Sequence, residues 1–324
     1  MCMQNRNYSL DILRIFACIA VIIIHTAGSP IVHKMVLPDT LWYNQCLVMD
    51  ALSKWSVPVF VMISGYFLID PRKELFIKNL FTKYILRLVV SLIIWSIFYA
   101  ITLHKAILPF GSQEGHFWYL NMLIGLYLSL PILRVIACRI VFLRYFCMVW
   151  LVFVCYKFIG NFCSLPLAID SFIFVEYAGY ALLGYYIKIN NFSKYIRGII
   201  YGLGVLGLII TIFMSLLTQN GINYFDNYFA PNIIMMSIAL VLLCNQHPLK
   251  LEGKVAIVVV QLSGYTYGIY LVHMWLLIQV FFRLHRYIEA PIPLSILCTS
   301  FVFIGGMVIT AVIKKIPIIN KFIV

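Results

Sequence analysis

The stretch DILRIFACIAVIIIH, residues 11–25, is apolar enough to enter a lipid bilayer, yet it contains an aspartate, an arginine and a histidine. Ionisable groups within a membrane-spanning helix are energetically costly, so they indicate a functional site. A helix turns by about 100° per residue, so the eleven steps from Arg14 to His25 end within about 20° of the same face. Asp11 lies within about 40° of that face. The three side chains therefore form one polar stripe, on which His25 lies about 16 Å beyond Arg14.

The composition of the whole chain is that of a membrane protein. Of its 324 residues, 63% are hydrophobic and only 11% are charged, and the mean hydropathy is +0.99. Soluble domains contain about 25% charged residues. No hydrophilic stretch is long enough for a soluble domain, so we expect a single transmembrane domain over residues 1–324. The net charge of +13 is explained by the enrichment of Lys and Arg in cytoplasmic loops, and it does not indicate a nucleic-acid partner.

Apolar windows of about 20 residues predict an all-α polytopic membrane protein with about ten transmembrane helices. Polar or small residues interrupt the second and ninth windows. The ten windows cover residues 9–28, 47–69, 82–103, 117–137, 143–160, 169–188, 197–217, 230–245, 256–282 and 292–313.

The distribution of positive charge predicts the orientation. An even number of helices places both termini on the same side. If that side is the cytoplasm, 17 of the 24 Lys and Arg residues face it and six face the opposite side, as the positive-inside rule requires. Asp11 and Arg14 then lie near the cytoplasm, and His25 lies towards the outer side. We expect no cleavable signal peptide, because no small-residue cleavage site follows the first apolar run.

Polar residues in the second and third windows permit two interpretations each. Lys83 and Arg87 open the third helix. They follow the positive-inside bias, or they face an anionic ligand that enters from the cytoplasm. Ser64 either allows close helix packing or faces the same ligand.

Aromatic and histidine residues recur in the later windows. His116, Trp118 and Tyr119 begin the fourth window, where belts of interfacial aromatic residues are also common. Tyr270 and His273 are three residues apart and share one helical face, which is equally typical of interior packing.

Glu176 lies near the middle of the sixth window. A carboxylate within the membrane needs a partner or a cavity, and the candidates are His25, Arg14 or a bound substrate. The sequence does not choose among them.

The residue types favour acid–base chemistry on an anionic ligand. No pattern of a serine hydrolase, a phosphate-binding loop or a zinc protease is present, and the cysteine spacing predicts no metal site. Histidine suits general-base catalysis near neutral pH, and arginine binds phosphates through paired hydrogen bonds. A membrane transferase and a proton-coupled transporter both fit this description.

The sequence resembles the acyltransferase 3 family of bacterial integral membrane acyltransferases, especially its short members without an extracytoplasmic SGNH domain. Arg14 and His25 reproduce the family's pattern of arginine, ten residues and histidine. The matching segments follow the family's order over almost the whole chain. They are LDILRIFACIAVIIIH (10–25), VPVFVMISGYFL (57–68), the basic pair Lys83 and Arg87, HFWYL with LYLSLP (116–131), LLGYYI (182–187) and SGYTYGIYLVH (263–273).

This resemblance implies an O-acyltransferase of the bacterial inner membrane. An acyl group, usually acetyl, would move from cytoplasmic acyl-CoA to a hydroxyl of a sugar or lipid-linked glycan, as in O-antigen or exopolysaccharide biosynthesis. Acetyl-CoA would be a co-substrate, with no tightly bound cofactor and no metal. The alternative is an exporter of a glycan or lipid-linked sugar.

The resemblance also assigns roles to residues. His25 would be catalytic, assisted by Arg14 and Asp11. The implied donor-binding residues are Lys83, Arg87 and Ser64. The implied acceptor or transfer residues are His116, Trp118, Tyr119, Glu176, Tyr270 and His273.

Overall fold

The computed structural model describes residues 6–104, 115–163, 176–218 and 224–317, and within these ranges the chain is helical without β-strands. Nine helical segments in the described residues are long and apolar enough to cross a membrane. The all-α, multi-pass prediction is therefore confirmed, whereas the side of the termini stays a prediction. The helices are α1 (Tyr8–Val32), α2 (Leu41–Ser53), α3 (Ser56–Leu68), α4 (Ile77–Asn79), α5 (Leu86–Leu103), α6 (Trp118–Ala137), α7 (Ile140–Phe162), α8 (Glu176–Ile189), α9 (Lys194–Leu217), α10 (Pro231–Gln246), α11 (Gly253–His285) and α12 (Pro291–Lys315).

The second predicted helix is two helices, α2 and α3, separated at Lys54 and Trp55. Pro58 explains the break, because it has no N–H to donate to the carbonyl four residues earlier. Proline is tolerated in the first turn of a helix, where that N–H has no partner anyway. Lys54 and Trp55, which join α2 to α3, therefore lie outside both helices.

The structure also fixes two other predicted helices. The ninth, whose interrupted window leaves its ends open, is α11, which runs unbroken from Gly253 to His285 over 33 residues. Between α4 and α5 lies a π-helical segment, Leu80–Ile85, and π-helical turns are frequent near functional sites. Part of the sixth predicted helix, residues 169–175, lies outside the described residues.

Helix α1 lies at the centre of the bundle and contacts α2, α3, α10, α11 and α12. The side chain of Asn7 caps its first turn by accepting a hydrogen bond of 3.0 Å from the Ser9 N–H. Ala17 and Ile22 are fully buried. A helix that is apolar on most sides and surrounded by other helices can keep its polar stripe away from lipid.

Helix α9 shows how the outer helices face the bilayer. Its buried residues are all small, and they recur every three or four positions on one face. This face packs against α10, while large apolar residues such as Ile209 and Phe213 are exposed. Small residues let helices approach closely in membranes. The buried set is Gly204, Gly207, Thr211 and Ser215.

Helices α3 and α8 cross at a pair of glycines. A Cβ atom on Gly65 would lie 2.0 Å from the carbonyl oxygen of Ala181, and one on Gly184 would lie 2.0 Å from that of Met62. These neighbours are backbone atoms, so relief requires the helices to separate. The crossing places Ser64, next to Gly65, deep in the bundle.

Gly65→Ala is therefore expected to destabilise the protein by about 3 kcal/mol, the upper range for overpacking. The measurement is the thermal unfolding of the purified variant. Gly202→Ala is the matched control, because nothing lies within 4 Å of its added Cβ atom and alanine favours a helix. Equal unfolding temperatures for the Gly65 variant and the wild type would contradict this close crossing.

Asp70 joins the ends of α3 and α8. The carboxylate is 3% exposed, and its Oδ2 accepts hydrogen bonds from Arg72 at 2.9 Å and Lys188 at 3.0 Å. The Arg72 guanidinium, with a further contribution from Lys188, holds the pKa of Asp70 well below its ordinary value of 3.8. The ionised form is thus stabilised by folding.

Because the folded-state pKa of Asp70 is depressed, its contribution to stability is present above the unfolded pKa of about 4 and is lost as the pH falls below it. Asp70→Asn is expected to unfold at a lower temperature than the wild type at pH 7. The difference between the two proteins should narrow as the pH falls below about 4. The measurement is the unfolding temperature of the wild type and the Asp70 variant at a series of pH values from 7 to below 4. Glu74→Gln is the control, because Glu74 is exposed. A constant difference at every pH would contradict the assignment.

Candidate functional site

A cavity of about 260 Å³ lies beside α1 and includes both Arg14 and His25 in its wall. We call it the central cavity. Its wall is built from α1, α3, α6 and α11, together with His116, which precedes α6, and Tyr228, which precedes α10. The predicted site residues that line it are Arg14, His25, Ser64, His116, Trp118, Tyr119, Tyr270 and His273.

The structure thus gathers eight of the twelve predicted site residues around one space, and their roles in function stay predictions. Five of these eight come from helices far from α1 in the sequence, or from the turn before α6. Tertiary packing brings them to the polar stripe, as expected where costly polar groups share a cavity.

Arg14 is a cation without a hydrogen-bonded partner in the described part of the chain. Its guanidinium carbon lies 5.9 Å from the centre of the Phe67 ring. The nearest carboxylate in sequence, Asp11, is already occupied by Arg6. A half-buried guanidinium that lines a cavity is well suited to an anion.

Asp11 is buried but does not line the central cavity. It accepts hydrogen bonds of 2.6 and 2.9 Å from Arg6 and one of 2.7 Å from Ser263 on α11. Ser263 itself lines the cavity. Asp11 therefore fixes α1 against α11, and the geometry gives it a positioning part and no direct contact with a ligand in the cavity.

Three imidazole rings meet at the other end of the cavity. The ring centre of His273 lies 5.2 Å from that of His25 and 5.1 Å from that of His116. His116 is 2% exposed and His273 is fully buried. His25 makes no side-chain hydrogen bond within the described residues, so both of its nitrogens are available to a ligand or water.

Tyr270 organises this group. Its hydroxyl donates to the carbonyl of His116, and its own carbonyl lies within hydrogen-bond distance of His273 Nδ1. A carbonyl oxygen only accepts, so Nδ1 of His273 carries the proton and Nε2 is a bare acceptor. This Nε2 is buried without a partner among the described residues, as are both nitrogens of His116. The cavity therefore has unsatisfied polar capacity for a polar ligand.

Neither Lys83 nor Arg87 lines the central cavity. Lys83 lies in the π-helical segment and is exposed. Arg87 is half-buried one layer behind the wall, where its guanidinium carbon lies 5.3 Å from the ring centre of the lining residue Tyr267. Its Nε atom is buried without a partner in the described ranges. Ser64 does line the cavity, but its hydroxyl donates to the Phe60 carbonyl at 2.9 Å.

Glu176 also lies elsewhere, and it does not meet His25 or Arg14. It is the first described residue of α8, and Lys157 on α7 donates to its Oε1 at 2.8 Å. It lines a second cavity of about 550 Å³. The apolar window gave no sign of this, because the lysine partner belongs to the preceding helix.

One buried cluster of charged residues was not predicted from the sequence. Lys54 lies between two carboxylates, at 2.9 Å from both Asp50 and Asp226, and its side chain is only 12% exposed. The signal was present, because Asp50 and Lys54 are four residues apart in an apolar segment, the spacing of a helical ion pair. Tyr228, which lines both cavities, had no comparable signal.

Although three histidines are neighbours, no group of three His, Cys, Asp or Glu side chains in the described part of the chain has a metal-binding arrangement. The central cavity thus holds imidazole groups at one end and an unpartnered guanidinium at the other.

Comparison with known proteins identifies the family. The family model for Acyl_transf_3, described as an acyltransferase domain, matches residues 7–312, which is nearly the whole chain. No curated protein and no solved structure matches. The matched region contains every residue of the central cavity. The chain therefore belongs to the acyltransferase 3 family of membrane acyltransferases.

Proposed function

We propose that this protein is an O-acetyltransferase of the bacterial inner membrane. It transfers an acetyl group from cytoplasmic acetyl-CoA to a hydroxyl of a cell-surface glycan or a lipid-linked sugar. The observation that carries the proposal is the central cavity, which joins an unpartnered guanidinium at Arg14 to an unpaired imidazole at His25. Membership of the acyltransferase 3 family supports the reaction type.

The proposed donor binds with its anionic part towards Arg14. Arg14 and His25 are separated by about 16 Å along α1, a distance that an extended pantetheine arm spans. Arg87 lies behind the wall and adds positive charge at the Arg14 end. Lys83 is exposed, so its proposed part is to attract the phosphates of CoA from solution.

The proposed reaction begins when His25 takes the proton of the acceptor hydroxyl. The hydroxyl oxygen then attacks the carbonyl carbon of the thioester, and a tetrahedral oxyanion forms. When the oxyanion collapses, the bond between carbon and sulphur breaks, and the CoA thiolate takes the proton from the His25 imidazolium. An ester and free CoA are the products, and His25 is neutral again.

A second route leads through an acyl-histidine, in which a nitrogen of His25 attacks the thioester first. Incubating the protein with labelled acetyl-CoA in the absence of acceptor distinguishes the two routes. Label retained on His25 under single-turnover conditions supports the acyl-histidine. Its absence, with transfer intact once acceptor is added, supports direct attack.

The proposed activity is tested by comparing glycans of a deletion strain with those of its parent by mass spectrometry. The deletion is expected to remove acetyl groups from one surface glycan, and the wild-type chain is expected to restore them. An exporter would instead change the amount of surface glycan and leave its acetylation unaltered. That second outcome would overturn the proposal.

A further inference from the structure

A second cavity of about 550 Å³ adjoins the central cavity at its His25 end. We call it the vestibule and define it by Lys54, Lys157, Glu176, Asp226, Tyr177 and Tyr228. Tyr228 lines both cavities, and its ring stacks on Trp118 of the central cavity. Pockets of about 300–1,000 Å³ hold small molecules. The vestibule is therefore a candidate binding site next to the reacting group.

Among the described residues, the charges that line the vestibule balance each other, with two lysines against two carboxylates; Asp50, a second carboxylate at Lys54, does not line it. Lys54 lies 2.9 Å from Asp226, and Lys157 lies 2.8 Å from Glu176. Each lining cation is thus paired with a lining carboxylate. Strongly anionic and strongly cationic ligands gain little from such a wall, whereas a neutral ligand with many hydroxyl groups finds both donors and acceptors.

One carboxylate oxygen in this wall has spare capacity. Asp226 Oδ1 is buried and has no hydrogen-bond partner among the described residues, while Oδ2 is held by Lys54. An unsatisfied buried carboxylate oxygen is costly unless a donor reaches it. A hydroxyl group of a ligand is such a donor.

Aromatic rings form the boundary between the two cavities. Trp118 stacks on Tyr228 with a distance of 6.0 Å between ring centres, and it lies 5.7 Å from Tyr177. Tyr177 in turn packs against Phe229 at 4.8 Å. Flat aromatic faces are large and apolar, and they suit the C–H face of a sugar ring while its hydroxyls reach the charged pairs.

We infer that the vestibule binds a neutral, hydroxyl-rich sugar ring of the acceptor and presents one of its hydroxyls to His25 past Tyr228. Its identity as the acyl acceptor rests on the proposed function, but binding of the sugar does not require acyl transfer. Asp226 and Tyr177 are the specificity residues of this site. A hexuronic acid is disfavoured, because its carboxylate meets a wall whose cations are already paired.

Saturation-transfer NMR on the full chain in lipid nanodiscs tests the inference. The probes are methyl α-D-glucopyranoside, methyl N-acetyl-α-D-glucosaminide and methyl α-D-glucuronoside. We expect saturation transfer to at least one neutral glycoside and little to the glucuronoside. Asp226→Asn and Tyr177→Leu should each weaken binding of the neutral glycoside about ten-fold. Tyr145→Leu is the control, because Tyr145 is exposed on α7.

Two variants keep the test decisive. If Asp226→Asn fails to fold, Tyr177→Leu still tests the site. Tyr177 lines the vestibule through ring contacts and is not part of the Lys54 charge cluster, so its substitution leaves that cluster intact. His25→Ala should bind the glycoside as the wild type does, so loss of acetyl transfer without loss of binding separates the proposed function from this inference. No transfer of saturation from any neutral glycoside, or equal transfer in the wild type, Tyr177→Leu and Asp226→Asn, would overturn the inference.

Discussion

His25→Ala is expected to lower acyl transfer from acetyl-CoA by at least about 100-fold, the lower range for removing a general base. The imidazole faces the central cavity and makes no hydrogen bond to the described part of the chain, so no buried group loses its partner on substitution. The ring contact with His273 is the main packing that is lost. The variant should therefore insert and fold normally.

The measurement is the initial rate of labelled acetyl transfer by purified protein, together with the unfolding temperature of each variant. His247→Ala is the matched control, because this histidine is exposed at the end of α10. A folded His25 variant that keeps full activity would exclude both direct base catalysis and an acyl-histidine at this residue.

Arg14→Gln is expected to reduce kcat/KM for acetyl-CoA about 100-fold, which corresponds to the loss of one or two charge-assisted hydrogen bonds. In the described residues the guanidinium has no hydrogen-bond partner, and an unpaired charge within a membrane-spanning helix is energetically costly. Its removal should consequently leave the free protein as stable as before, or more stable. A loss of donor use combined with unchanged stability is the signature of a ligand-binding residue.

The comparison has two controls. Arg14→Lys keeps the charge but not the planar fork, so it should recover part of the lost affinity. Arg139→Gln removes an exposed arginine before α7 and should have no effect on kcat/KM. If Arg14→Gln instead unfolds at a much lower temperature with an unchanged KM for acetyl-CoA, Arg14 is a structural residue and the donor binds elsewhere.

The most informative part of the sequence was the first helix. A run of apolar residues long enough to cross a bilayer predicts a helix, and the spacing of Arg14 and His25 then places them on one face, whatever surrounds it. The structure puts both in the wall of one cavity. Helical periodicity is a local property of the chain, so it places both residues on one face without information about the neighbouring helices.

The partners of the buried polar residues could not be predicted from the sequence. Glu176 was a candidate partner for His25, but it pairs with Lys157. Lys54, one of the six positive charges that the sequence predicts on the outer side, is buried between Asp50 and Asp226. Each of these contacts depends on which helices are neighbours, and apolar windows carry no information about neighbours.

The sequence by itself determined the class of protein, the apolar segments and the polar face of α1, because hydrophobicity and helical spacing act over a few turns of one chain segment. Only the tertiary structure decided that His116 and His273 join His25, that Lys83 and Glu176 do not, and that a vestibule lined by paired charges adjoins the cavity. The physical reason is that helix packing in a membrane is set by shape and by small residues at crossings such as Gly65 and Gly184. Those crossings bring together side chains that are more than a hundred residues apart.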